Sequence, residues 1–243
     1  LNFSRKDLAM VGWAIPPPKP PTKTPEQFLK ERRRKVADLE IRGFLRSPLL
    51  TAAMLKVPRE AFIPPLYRDY AYLEVPLPLP GAATISCPHS YPLFYEALKL
   101  DAGHRFLEVG AGSGYGAALA WEVVGETGLV VSMDIDPETY AFARDNLKNL
   151  GYDRVEVVLG DGSLGYPSCA PYDRICFTAA APAVPPPLLA QLAPGGRLIG
   201  PVGQPHEVQD LVMMIRQDTD KFQRVVVETV AYIPLRGRYG FAD

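Results

Sequence analysis

The stretch Arg105-Phe106-Leu107-Glu108-Val109-Gly110-Ala111-Gly112-Ser113-Gly114-Tyr115-Gly116 decides how this chain folds. A largely apolar strand runs into glycines at alternate positions, and a helix-forming run to Val124 follows without a break. Glycine lets the backbone come close to a ligand that a Cβ would block, and the N–H groups at the next helix start favour a negative group, so the unit reads as a nucleotide-type site. Outward from it the alternation repeats. Leu129–Asp134 and residues 155–159, 174–177 and 197–201 read as apolar strands, with helices over residues 115–124, 137–150 and 186–192. Near-continuous apolar strands joined by helices imply a parallel sheet covered on both faces. The tail differs: residues 210–216 and 222–233, joined by the polar run Gln217-Asp-Thr-Asp-Lys221, read as an antiparallel hairpin at one edge.

The register of the glycines separates possible ligands. The dinucleotide pattern G-x-G-x-x-G/A can be laid on Gly112, Gly114 and Ala117, with an acid about twenty residues further on. The first glycine then comes too late, because the strand ends at Val109 and Gly110 is the first turn residue; counted from Gly110, Tyr115 stands where that pattern wants glycine. The spacing Glu108-x-Gly110-x-Gly112-x-Gly114 instead resembles motif I of class I S-adenosylmethionine methyltransferases. On local grounds a dinucleotide enzyme and a purely structural turn stay open. The expected fold is α/β: a doubly wound, mostly parallel, seven-stranded Rossmann-like sheet with a C-terminal antiparallel hairpin and N-terminal helices, with the ligand beyond the carboxyl ends of the strands.

Two acidic strand ends complete a nucleoside site. Met133-Asp134-Ile135-Asp136 closes the second strand; the Asp134 carboxylate suits two ribose hydroxyls, while Asp136 caps the helix opening at Pro137. Leu159-Gly160-Asp161-Gly162-Ser163 closes the third, where Asp161 suits an exocyclic amine and the Gly162 N–H a ring nitrogen; a tight Asp-Gly turn is the alternative.

Composition removes other classes. With 243 residues, 47% hydrophobic and 22% charged, and a net charge of −1, the chain offers no electrostatic case for nucleic acid. The basic run from Lys30 to Lys35 sits among acids and reads as a solvated helix face. No apolar stretch is long enough to span a bilayer and the start lacks the order of a signal peptide, so a cytoplasmic location without membrane contact is expected. Cys87, Cys169 and Cys176 form an odd set without C-x-x-C, and His89, His104 and His206 lack ligand spacing, so no metal site is expected. Residues 1–25 form a Pro-rich arm, either solvated or strapped to the body, ahead of one domain over 26–243: a helical, substrate-side region to residue 100 and a cofactor-binding sheet from 101. Thr24 and Pro25 open a helix to about Arg42, and Pro48–Lys56 is a second.

The segment ahead of the sheet is the most specific. Val57-Pro-Arg-Glu-Ala-Phe-Ile-Pro64, Tyr70-Ala-Tyr72, Pro76-Leu77 and Ala83-Thr-Ile-Ser-Cys-Pro-His89 together resemble the N-terminal region of protein-L-isoaspartate O-methyltransferases. The similarity continues through motif I, Gly160-Asp-Gly162, Ala170-Pro-Tyr-Asp173, Thr178-Ala-Ala-Ala-Pro182, Leu192-Ala-Pro-Gly-Gly-Arg197 and Tyr232-Ile-Pro-Leu235. It implies methyl transfer from S-adenosylmethionine to the α-carboxylate of L-isoaspartyl residues in damaged proteins or peptides, with S-adenosylhomocysteine as product, in a chain expected to be a monomer. It implies Ser86 as the active-site serine; Ala83, Thr84, Ile85, Ser86, Glu108, Gly110, Gly112, Ser113, Gly114, Asp134, Asp161 and Gly162 around the cofactor; and Thr84, Ile85, His89, Pro234 and Leu235 around the substrate. Mammalian members carry a second histidine where this chain has Tyr91, and the tail here reads Arg236-Gly-Arg238-Tyr-Gly-Phe241, whose arginines face substrate carboxylates or solvent. The alternatives are a methyltransferase for an aspartate of one designated peptide or another substrate, a non-catalytic cofactor-binding adaptor of the same fold, and, in the displaced glycine register, an NAD-dependent oxidoreductase.

Overall fold

A computed structural model describes residues 14–218 and 221–242; the first thirteen residues of the expected arm lie outside the described residues. In chain order the helices are α1 (Pro25–Ile41), α2 (Pro48–Lys56), α3 (Ser90–Leu98), α4 (Tyr115–Val124), α5 (Pro137–Asn149) and α6 (Pro186–Ala190). The strands are β1 (Leu77–Pro78), β2 (Thr84–Ile85), β3 (Arg105–Val109), β4 (Leu129–Asp134), β5 (Glu156–Leu159), β6 (Tyr172–Phe177), β7 (Leu192–Val202), β8 (Gln209–Asp218) and β9 (Lys221–Val230). Among the described residues no helix is long and apolar enough to cross a membrane.

The glycine motif sits at the middle of the main sheet. Its seven strands run in the order β5-β4-β3-β6-β7-β8-β9, parallel from β5 to β7 and antiparallel from β7 to β9. The chain leaves β3 toward β4 and β5, then returns to lay β6 on the other side, so the order reverses beside β3; that is where open α/β sheets hold ligands. Successive side chains of β3 bury on opposite faces. Phe106 belongs to the core cluster that includes Leu39, Leu98 and Leu119, while Leu107 belongs to the one that includes Phe177, Leu188 and Leu198. This two-sided burial is why the strands read as unbroken apolar runs.

Local chemistry sets the helix starts. Thr24 and Gln27 form a capping box with Pro25 in the first turn of α1. Asp136 caps α5, accepting from the N–H groups of Glu138 and Thr139, as its place before Pro137 suggested. Three features had no counterpart in the sequence reading: α3, which lacks a side-chain cap, the two-residue β1–β2 ribbon, and the early start of β7 at Leu192, where its pairing with β6 slips in register.

The described part of the arm is strapped down. Asp69, 3% exposed, accepts from the Thr22 N–H at 3.0 Å, the Thr22 hydroxyl at 2.7 Å and the Lys23 N–H at 3.2 Å, and pairs with Lys19 Nζ at 3.1 Å. Burial alone would push its carboxyl up, but Thr22, Lys19 and Lys23 hold it well below the usual carboxylate range. Asp69→Asn is therefore expected to remove about 2 kcal/mol of unfolding free energy at neutral pH. Because the folded-state value is the lower one, the contribution is complete above about pH 4 and fades as pH falls through the folded value. Denaturant titrations of both proteins should show the gap narrowing in acid.

Candidate active site

The carboxyl ends of β3, β4 and β6 open into one cavity of about 750 Å³, closed on its other sides by residues 81–86, the start of α3 and the tail after β9. In the glycine turn, Gly110 and Gly112 take left-handed φ values of 102° and 56°. A Cβ on Gly110 would lie 2.3 Å from Thr178 Oγ1, and that hydroxyl donates to the Gly110 carbonyl at 3.0 Å, tying the turn to the end of β6. The turn uses its donors on the protein. The N–H groups of Gly110 and Ala111 reach the Met133 carbonyl at 2.8 and 2.9 Å, that of Gly114 the Ala111 carbonyl at 2.8 Å, and that of Gly112 reaches Asp134 Oδ2 at 3.1 Å. What the turn gives a ligand is a wall without side chains, rather than the row of free donors that its sequence suggested.

Asp134 stands at the end of β4 with Oδ1 accepting from the Asp136 N–H at 3.1 Å. A carboxylate has about four lone-pair sites, so two N–H bonds leave capacity for two hydroxyls in the cavity. Burial pushes this carboxyl up in spite of those bonds. Glu108 is 3% exposed and accepts from Ser132 Oγ at 2.7 Å; burial pushes its carboxyl up to about 8, with the Asp134 charge adding to the shift. A cationic ligand group beside these two acids favours their charged forms. Gly116 makes room for Glu108, since a Cβ there would lie 2.2 Å from Oε1.

The ribbon brings the serine segment to the same cavity. The Ser86 carbonyl accepts from Arg59 Nη2 at 2.6 Å, and Arg59 Nε donates to the Ala71 carbonyl at 2.6 Å. Arg59 is 1% exposed, with its guanidinium 5.6 and 5.3 Å from the ring centroids of Tyr91 and Tyr115. A buried cation held by carbonyls and aromatic faces locks the backbone at Ser86. Tyr232, whose phenol burial pushes up, has the side chains of Ser90 and Ser86 as hydrogen-bonding neighbours. Cys87 beside them is buried, which pushes its thiol up to about 12.

Of the residues expected around cofactor and substrate, Ala83, Thr84, Ile85, Ser86, His89, Glu108, Gly110, Gly112, Ser113, Asp134, Gly162, Pro234 and Leu235 line the cavity. Gly114 and Asp161 are not in its lining. Gly114 starts α4 at φ 83°, where a Cβ would lie 2.9 Å from Leu147 Cγ, so it seats α4 against α5. Asp161 Oδ1 accepts from the Ser163 N–H at 2.9 Å and hydroxyl at 2.6 Å, and Oδ2 from the Arg238 N–H at 2.8 Å. Its carboxylate fastens the C-terminal tail instead of facing an amine. Arg236 lines the cavity and pairs with Asp136 at 3.2 Å. Arg59, Thr178 and Tyr232 lie within the family-like segments, yet their supporting roles were not read from sequence, because each acts through a partner distant in the chain.

Known proteins match this chain over most of its length. The family model described as protein-L-isoaspartate(D-aspartate) O-methyltransferase matches residues 30–240. A protein-L-isoaspartate O-methyltransferase of Methanopyrus kandleri is 46% identical over 217 residues, covering 89% of this chain and 96% of the relative. One of Hyperthermus butylicus is 44% identical over 232 residues, covering 92% and 96%. A solved protein-L-isoaspartate O-methyltransferase superposes with a TM-score of 0.77 at 33% identity, over 86% of this chain and 67% of that one. The fold is also that of a Plasmodium falciparum structure in complex with S-adenosyl-L-homocysteine, with a TM-score of 0.73 at 22% identity, covering 84% and 98%.

Proposed function

The chain belongs to the protein-L-isoaspartate(D-aspartate) O-methyltransferase family, and from that premise we propose how its cavity moves a methyl group from S-adenosylmethionine to the α-carboxylate of L-isoaspartyl residues in damaged proteins and peptides. The observation that carries the reading is the meeting of two separate segments in one cavity: the nucleoside-type wall at Gly110, Gly112 and Asp134, and the Thr84-Ile85-Ser86 strand. The residues fit the cofactor: Asp134 keeps acceptor capacity for ribose hydroxyls, Ile135 and Gly162 give a flat edge suited to adenine, and Glu108 lies where a cationic tail is favoured.

S-adenosylmethionine supplies, when bound, a methyl group activated on a sulfonium. The acceptor is a carboxylate with a pKa near 4, already nucleophilic at neutral pH, so the chain needs no general base. Its own residues orient and exclude water. Ser86, with its backbone fixed by Arg59, would hydrogen-bond one oxygen of the substrate carboxylate and leave the other free to take the methyl group. The apolar part of the cavity lining would limit water around the reacting groups. The ester then closes to a succinimide, with loss of methanol, and reopens partly to normal aspartate. Pro234 and Leu235 line the same cavity as Ile85; the Leu235 N–H and carbonyl are bound to Ala180 and Phe241 and proline has no N–H, so this segment offers the peptide an apolar wall.

Labelled S-adenosylmethionine incubated with one peptide in its isoaspartyl and aspartyl forms tests the reading. Base-labile label on the isoaspartyl form alone is the expected result. Equal label on both forms, or none on either, overturns it.

A further inference from the structure

His89 lies on the substrate side of the cavity, and what holds its ring is a chain of contacts reaching back to α1. Its Nδ1 is 2.6 Å from Glu74 Oε2, and its backbone N–H reaches the same oxygen at 3.4 Å. Glu74 Oε1 meets Lys35 Nζ at 2.9 Å. The Phe44 ring lies against the imidazole, centroids 5.4 Å apart. With Nδ1 tied to Glu74, Nε2 is the nitrogen left to the cavity, which His89 and Phe44 both line. Burial would raise the Glu74 carboxyl, but the His89 bond and Lys35 lower it to about 2. Glu74 therefore stays an acceptor, and the Nδ1 proton stays on the ring.

We propose that Glu74, braced by Lys35, is a positioning residue that fixes the His89 ring with its proton on Nδ1 and Nε2 turned to the isoaspartyl substrate. This rests on the repair reading above. With its proton held on Nδ1 by Glu74, the ring presents the Nε2 lone pair to the cavity, where it suits an N–H donor of the peptide main chain. The other groups around it fit this state: the Cys87 thiol stays neutral, and Lys35 shares its charge with Glu74 at 2.9 Å and Asp38 at 3.9 Å. The arrangement adds substrate recognition through a ring held in one orientation.

The test compares wild type with Glu74→Gln and Glu74→Asp in steady-state methylation of an isoaspartyl peptide, with S-adenosylmethionine affinity from calorimetry. Glu74→Gln should raise KM for the peptide roughly tenfold, with kcat and cofactor affinity within about twofold, and Glu74→Asp should recover most of the loss. Nitrogen-15 NMR of the three histidines, His89, His104 and His206, assigned by substitution, should place the His89 proton on Nδ1 in wild type and move it to Nε2 in Glu74→Ala. An unchanged KM in Glu74→Gln overturns the proposal. So does a parallel fall of kcat, cofactor affinity and melting temperature, which would make Glu74 a structural brace only. A wild type that binds cofactor yet labels neither peptide overturns the repair reading itself, a result distinct from both.

Discussion

Ser86→Ala should lower turnover on an isoaspartyl peptide by one to two orders of magnitude, about 1.4–2.7 kcal/mol of barrier, with cofactor affinity nearly unchanged. The fold should not suffer. Arg59 holds Ser86 through its main-chain carbonyl, which alanine keeps, and the strand pairing of Thr84 and Ile85 with β1 does not involve the serine side chain. Only the hydroxyl is lost, and with it the bond that orients the carboxylate, while the Tyr232 phenol keeps Ser90 as a hydrogen-bonding neighbour. The loss should be bounded because the substrate brings its own ionised nucleophile; a serine acting as a nucleophile itself would take nearly all activity with it. Single-turnover rates at saturating cofactor check this. Full activity in the alanine variant would remove Ser86 from the mechanism, and total loss would point to a covalent role.

Asp134→Asn should weaken S-adenosylmethionine binding by about two orders of magnitude, close to 2.7 kcal/mol, while the free protein still folds. The carboxylate accepts from the N–H groups of Gly112 and Asp136 and keeps further acceptor sites toward the cavity. An amide has one acceptor oxygen, so it cannot serve two N–H groups and two ribose hydroxyls together. Stability carries two opposed effects, because the N–H of Gly112 or of Asp136 loses its acceptor while a buried charge is removed. Burial raises the Asp134 carboxyl in the folded chain, so its ionised form costs folding free energy as pH rises through the folded value, and the neutral amide is spared that cost. Calorimetric titration and thermal melts at neutral pH separate affinity from stability. Unchanged affinity would show that Asp134 belongs to the turn alone.

Both predictions depend on contacts that differ in how legible they were. Asp134 could be chosen from sequence because the end of a parallel strand fixes where its side chain stands, and Asp136 because a capping residue acts within its own first turn. Asp161 shows the limit of that logic. It too closes a strand, but Arg238 and Ser163 take up its carboxylate, and nothing near residue 161 announces a partner 77 residues away. Helix α3 failed to register for a simpler reason: it has no side-chain cap, and its place is set by packing Phe94, Tyr95 and Leu98 into the core.

By itself the sequence determined the doubly wound sheet and the end of it where the candidate site opens, because apolar period, glycine conformation and helix capping are local properties that each segment carries along. It also marked the serine segment, through resemblance to a family. Only the tertiary structure decided that Thr84-Ile85-Ser86 closes over the glycine turn, that Arg59 and Glu74 hold its flanks, and that the tail is pinned by Asp161 rather than left in solvent. Those contacts join residues far apart in the chain, and their energies exist only once packing has removed the water that would otherwise satisfy each group alone.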